Sequence, residues 1–150
     1  MTLFDRFTGE RGRHLCVEAL AAQRLVSGNR KLAEELADRA EVLAVSAGQT
    51  LISQGADDNE IYFILAGTFD VVVNGRSVAG RGAGDHVGEM AAVQPAQRRS
   101  ATVTALEEAI VAKLSAEAFS NLGSRHPQLY RIIAQELARR VVQLESRSIE

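Results

Sequence analysis

A chain of 150 residues with 46% apolar residues, one cysteine and a formal net charge of −2 is long enough to bury one core without staples. Charges of both signs are scattered along it, which argues against DNA, RNA or an anionic membrane surface as partner, and no apolar run reaches the length of about 18 residues that reads as a membrane span. Cys16 has no second cysteine to pair with, and the opening Met1-Thr2-Leu3-Phe4-Asp5-Arg6 lacks the apolar core of a signal peptide, so a reducing, cytoplasmic compartment is expected.

From Gly12 to about Val26, Leu15, Ala19, Leu20 and Leu25 recur at helical spacing before Ser27-Gly28-Asn29 breaks the pattern. Asn29 is placed to cap a second helix, with Leu32 and Leu36 four apart on one face. His14 and Cys16 fall in the first helix and read as packing or surface residues. From Glu41 the period changes to two. Short strand-like runs follow at 42–45, 50–53, 61–65, 69–73, 77–79, 101–105 and 109–113, each bounded by a turn signal, with Asn74-Gly75 the two-residue hairpin signal among them. The glycines at 80, 82 and 84 lack dinucleotide-fingerprint spacing and no βαβ unit follows, so they read as turn residues. Helical periodicity returns after Lys113. Ser115 caps a short helix that Gly123 closes, and Pro127 opens a last helix to about Leu144, with Leu129, Ile133, Leu137 and Val141 along one stripe. That stripe fits a cover for the sheets, a lid, a lever or a dimer face. The pattern predicts an α+β fold, an antiparallel double-sheet β-roll resembling a jelly roll, flanked by N-terminal helices (1–39) and C-terminal helices (115–150), with the roll over 40–114.

Between the fifth and sixth strand-like runs lies Gly88-Glu89-Met90-Ala91-Ala92-Val93-Gln94-Pro95-Ala96-Gln97-Arg98-Arg99-Ser100-Ala101, which reads as an anion cradle. Gly88 admits close backbone approach, and a helical turn over Met90 to Val93 aims free N–H groups at an anion. Arg99 supplies a permanently charged donor fork, and Ser100 adds a hydroxyl and an N–H. Glu89 cannot favour a phosphate. Facing the same pocket it wants a hydroxyl donor, for which a ribose 2′-OH is the candidate, or else it bonds N–H groups of its own loop. Arg98 reads as a rim residue and His86 as a packing or solvent-edge histidine. Asp57, Asp58 and Glu60 form an acidic turn without metal-loop spacing, so no ion is expected.

Gly88-Glu89-Met90-Ala91 followed after a spacer by Arg99-Ser100-Ala101 resembles the phosphate-binding cassette of the cyclic nucleotide-binding domain family. Val87 and Arg98 replace the family's usual aromatic and proline. Gly82-Ala83-Gly84-Asp85 and Tyr62-Phe63-Ile64-Leu65-Ala66-Gly67 extend the likeness over roughly residues 40–142. The resemblance implies a sensor with no cofactor and no metal, whose ligand is a 3′,5′-cyclic nucleotide monophosphate. The ligand residues it implies are Gly88, Glu89, Met90, Ala91, Arg99, Ser100, Ala101 and Thr102. The whole arrangement is similar to the N-terminal sensor of Pycsar-type bacterial anti-phage effectors, in which a cyclic pyrimidine monophosphate activates a following TIR domain that destroys NAD. On that likeness the chain is the input module of a longer protein, binds cyclic UMP or cyclic CMP, and self-associates through its terminal helices.

The other readings are a cyclic AMP or cyclic GMP sensor on another output, a roll that has lost its ligand, and a cupin-like metal protein. The last needs several converging ligands, and His14, His86 and His126 sit in a helix, a loop and before a helix. No Gly-x-Ser-x-Gly elbow, Cys/His pair or His-Glu-x-x-His is present, so the residues read as a ligand-binding domain and not an enzyme.

Overall fold

The computed structural model describes residues 1–149. After a 3-10 turn, Phe4–Phe7, come α1 (Gly9–Ala21) and α2 (Arg30–Arg39). The strands are β1 (Glu41–Val45), β2 (Thr50–Ile52), β3 (Ile61–Ala66), β4 (Phe69–Val73), β5 (Arg76–Arg81), β6 (His86–Val87), β7 (Thr102–Ala105) and β8 (Ala109–Leu114). Helix α3 (Glu89–Val93) lies between β6 and β7, and α4 (Ala116–Arg125) and α5 (Gln128–Ile149) follow the roll. Two antiparallel four-stranded sheets, in the orders β1-β8-β3-β6 and β2-β7-β4-β5, face each other. This is the predicted α+β roll.

Strand periodicity builds two cores from one sheet. Along β3, Tyr62 and Ile64 enter the cluster between the sheets while Ile61, Phe63 and Leu65 enter the cluster under the helices. Along β8, Ala109 and Val111 turn inward, and Ile110, Ala112 and Leu114 turn to the helices. Both faces are covered, so β3 and β8 read as nearly continuous apolar runs. The helical layer presents Leu20, Leu32, Leu36, Phe119, Leu122 and Leu129, all fully buried.

Local chemistry explains the element ends. Asn29 accepts the Leu32 N–H at 3.1 Å, and Ser115 accepts the Ala118 N–H at 3.1 Å. Asn74 and Gly75 both take positive φ, +52° and +78°, as a type I′ hairpin turn requires between β4 and β5.

Several expectations need correction. Helix α1 ends at Ala21 and buries Cys16, Val17 and Leu20, leaving Leu15 at 42% exposed. Gly123 does not close a helix. It lies inside α4, where a Cβ would stand 2.4 Å from the Tyr130 ring, so its bareness is a packing requirement between α4 and α5. Strand β5 runs through Gly80 to Arg81, carried by pairing with β4 that sequence periodicity does not reveal. Strand β6 was not anticipated, because two residues carry no period. The α5 stripe is buried at Leu129 and Ile133 but leaves Val141 52% exposed.

Candidate functional site

Strand β6 ends at Val87, and Gly88 turns the chain into α3 with φ +87°, a left-handed conformation strained for any side chain. A Cβ at Gly88 would also meet the Arg99 Nη1 and the Glu60 carbonyl oxygen, both at 2.7 Å. Only glycine fits. The first N–H groups of α3 have no partner four residues back, which leaves donors for a ligand where Gly88, Glu89, Met90 and Ala91 line one wall of a cavity. Arg99, Ser100 and Ala101 line the same cavity. Its apolar walls come from Ile52, Val71 and Val103, which belong to or pack against the core between the sheets.

The structure brings together seven of the eight expected ligand residues and turns the eighth away. Thr102 sits on the face opposite Val103, where its hydroxyl accepts the Gln54 N–H at 3.0 Å, outside the cavity. Period-two alternation is the cause: Val103 and Ala105 point inward, so Thr102 points outward.

Arg99 has a larger role than a charged donor. Its side chain is 2% exposed, and its guanidinium ties three segments together. Nε and Nη2 donate to the Asp58 carboxylate at 3.3 Å each, Nη2 donates to the Glu60 carbonyl at 2.8 Å, and Nη1 donates to the Gly88 carbonyl at 3.3 Å. The Glu60 carboxylate lies 3.6 Å away. The acidic turn that holds no metal spacing is thus the counter-charge of the cassette arginine. Arg98 is exposed, with Nη1 3.3 Å from the Gly55 carbonyl, and Ser100 is exposed. Among the described residues no cluster of three or more His, Cys, Asp or Glu side chains is placed to hold a metal.

Glu89 is buried, and neither a hydroxyl nor its own loop satisfies it. Arg140 of α5 donates to its Oε1 at 3.0 Å. One turn earlier on α5, Glu136 lies 3.3 Å from the ring of His86, itself only 4% exposed. Hydrogen bonding to the His86 ring is the largest effect holding the Glu136 carboxyl below its ordinary range, burial opposes it, and nearby positive charge, Arg140 and Arg24 included, adds a smaller share. An ion pair from Arg140 to Glu89 and the approach of Glu136 to His86 therefore hold α5 beside the cavity. Sequence reasoning missed Arg140, Glu136, Asp58 and Glu60 as site residues. For Glu136 and Arg140, one helical turn apart, the four-residue spacing was the available signal.

A protein-family model described as the cyclic nucleotide-binding domain matches residues 42–126. The chain is 50% identical over 141 residues to the Pycsar effector protein BcPycTIR of Burkholderia cepacia, and 45% identical to PaPycTIR of Pseudomonas aeruginosa. Each match covers 94% of this chain and 46% of the relative, so the chain spans about half the length of these curated relatives. In fold it is similar to the regulatory subunit of a cAMP-independent protein kinase A from Trypanosoma brucei, with TM-score 0.76, 23% identity and coverage of 92% of this chain and 52% of that one. It is likewise similar to the catabolite activator protein of Thermus thermophilus, with TM-score 0.71, 23% identity and coverage of 78% and 57%. With its roll, its cassette and a family match spanning both, the chain belongs to the cyclic nucleotide-binding domain family.

Proposed function

We propose that the chain is the sensor of a Pycsar-type anti-phage effector, an input module that binds a cyclic pyrimidine monophosphate, cyclic UMP or cyclic CMP, and passes occupancy to a TIR domain that consumes NAD. The observation that carries this reading is 50% identity to BcPycTIR across 94% of the chain, with the cassette cavity inside the matched span.

In this reading the cyclic phosphate takes the unpaired N–H groups of α3, and Ser100 and the Ala101 backbone complete the cradle. Arg99 offers the remaining Nη1 hydrogen and holds the loop in shape. The ribose hydroxyl needs Glu89, which Arg140 occupies. Ligand entry therefore competes with a contact that fixes α5, and the helix settles differently when the site is filled. A hundredfold difference in affinity between the two placements of α5 would bias them by about 2.7 kcal/mol. Association of ligand-bound copies through the terminal helices belongs to the same proposal, and the exposed Val141, Val142 and Leu144 offer the apolar surface for it.

The test is calorimetric titration with cyclic UMP, cyclic CMP, cyclic AMP and cyclic GMP. Selective binding of one pyrimidine nucleotide is expected. Selective purine binding would move the protein to a cyclic AMP or cyclic GMP output, and no heat with any of the four would overturn the ligand reading altogether.

A further inference from the structure

One inward-facing arginine of the cavity has no ion pair among the described residues. Three arginines other than Arg99 line it. Arg140 is engaged by Glu89 at 3.0 Å, and Arg98 is exposed at the rim with Nη1 3.3 Å from the Gly55 carbonyl. The third is Arg81, the last residue of β5. Its register partner across the hairpin is Phe69, which is fully buried between the sheets. Cross-strand partners share a face, so Arg81 leaves β5 on the side of the sheet that faces the roll, where it lines the cavity and its guanidinium still meets solvent. Its one side-chain bond among the described residues is Nη1 to the neighbouring Gly80 carbonyl, at 2.9 Å.

The surrounding carboxylates are already taken. Asp85 pairs with Arg24 at 3.1 Å, Glu136 faces His86 at 3.3 Å and Glu89 holds Arg140. A partly buried cation on an inward face, with no ion pair among the described residues, carries a desolvation cost that a ligand atom can offset.

We propose that Arg81 reads the base and selects one carrying a carbonyl where uracil has it and cytosine carries an amine. This deepens the proposed function and rests on the cyclic-nucleotide reading of the same cavity. With the phosphate on the cassette and the ribose on Glu89, the base meets what remains of the lining. Val71 and Val103 contact its faces, and Arg81 supplies the polar group for its edge. A guanidinium has five N–H donors and no acceptor. A base edge with a carbonyl oxygen satisfies two arms of the fork, whereas an exocyclic amine sets donor against donor and leaves both unpaired. Arg81 thus acts through what it refuses as much as through what it binds.

The experiment titrates wild type, Arg81→Met and Arg81→Gln with cyclic UMP, cyclic CMP, cyclic GMP and cyclic AMP. Wild type is expected to prefer cyclic UMP over cyclic CMP by about tenfold or more, the worth of one charged hydrogen bond. Arg81→Met keeps the side-chain bulk, removes the fork and should bring the two within about threefold by weakening cyclic UMP. Arg81→Gln, whose amide both donates and accepts, should raise cyclic CMP relative to wild type. A wild type that prefers the amino base, or an unchanged preference in Arg81→Met, overturns the inference while leaving the site reading intact. Equal loss of all four ligands in both variants assigns Arg81 to the part common to every nucleotide and overturns it too. No binding of any nucleotide by wild type brings down the site reading and this inference together.

Discussion

Replacing Arg99 by alanine should unfold the cassette before it says anything about ligand. The guanidinium makes four hydrogen bonds to Asp58, Glu60 and Gly88 from a side chain that is 2% exposed, so its removal leaves the Asp58 carboxylate and two carbonyls without their cation. Breaking a buried ion pair by deleting one partner costs about 3–5 kcal/mol. Asp58 is 41% exposed and can regain water, which places the cost near the lower end, about 3 kcal/mol. For a chain of this length that is a drop in melting temperature of about 6–12 °C. The assay is thermal unfolding of the ligand-free protein, followed by circular dichroism. Arg99→Lys should fall by less, because an ammonium keeps the charge but lacks the planar fork that serves three segments at once. Asp58→Asn should also destabilise, since it removes the anion and leaves the cation buried. An Arg99→Ala protein melting within about 2 °C of wild type would refute the clamp, and Arg99 would then serve the ligand alone. If the clamp holds, lost binding in Arg99→Ala reports a collapsed loop as well as a missing phosphate contact, and Arg99→Lys becomes the cleaner probe.

Gly88→Ala should lose about 1–2 kcal/mol to its left-handed φ alone, and more to the 2.7 Å contacts that a Cβ would make, so chemical denaturation should show a drop beyond backbone strain. Arg140→Ala should free Glu89 and tighten nucleotide binding several-fold. A weaker complex would instead make Arg140 a ligand contact and end the competition argument. Glu136 is held below the ordinary carboxylate range by His86, so its contribution is complete above that range and is lost as pH falls through the depressed value. The stability difference between wild type and Glu136→Gln should therefore be present at neutral pH and vanish in acid once pH has fallen through that depressed value; a difference that persists in strong acid would exclude the carboxylate's contact with His86 as its source. Asn29→Ala should cost about 1 kcal/mol by uncapping α2, and full retention of stability would show that tertiary packing alone sets the start of that helix.

How much could be read from the chain itself depended on range. Asn29, Ser115 and Asn74-Gly75 act on neighbours two or three residues away, and their caps and hairpin stand where the sequence indicated. Period-two runs such as Phe69–Val73 and the return of helical spacing after Lys113 were sufficient for the fold class, because a strand or helix announces itself through its own side chains. The cassette was legible for the same reason: fourteen consecutive residues contain its turn glycine, its acid and its arginine.

Local pattern along the chain was enough for the roll, its flanking helices and the place of the cradle. Tertiary structure decided the pairings. Arg99 meets Asp58 across 41 positions and Glu89 meets Arg140 across 51, and nothing local marks either pair. Thr102 was turned away from the cavity by the register of β7, and Arg81 was turned into it by its pairing with Phe69. Periodicity along one strand shows that alternate residues share a face, but only the packing of two sheets says which face is inside, and charge partners are chosen by whatever the fold brings within reach of a buried ion.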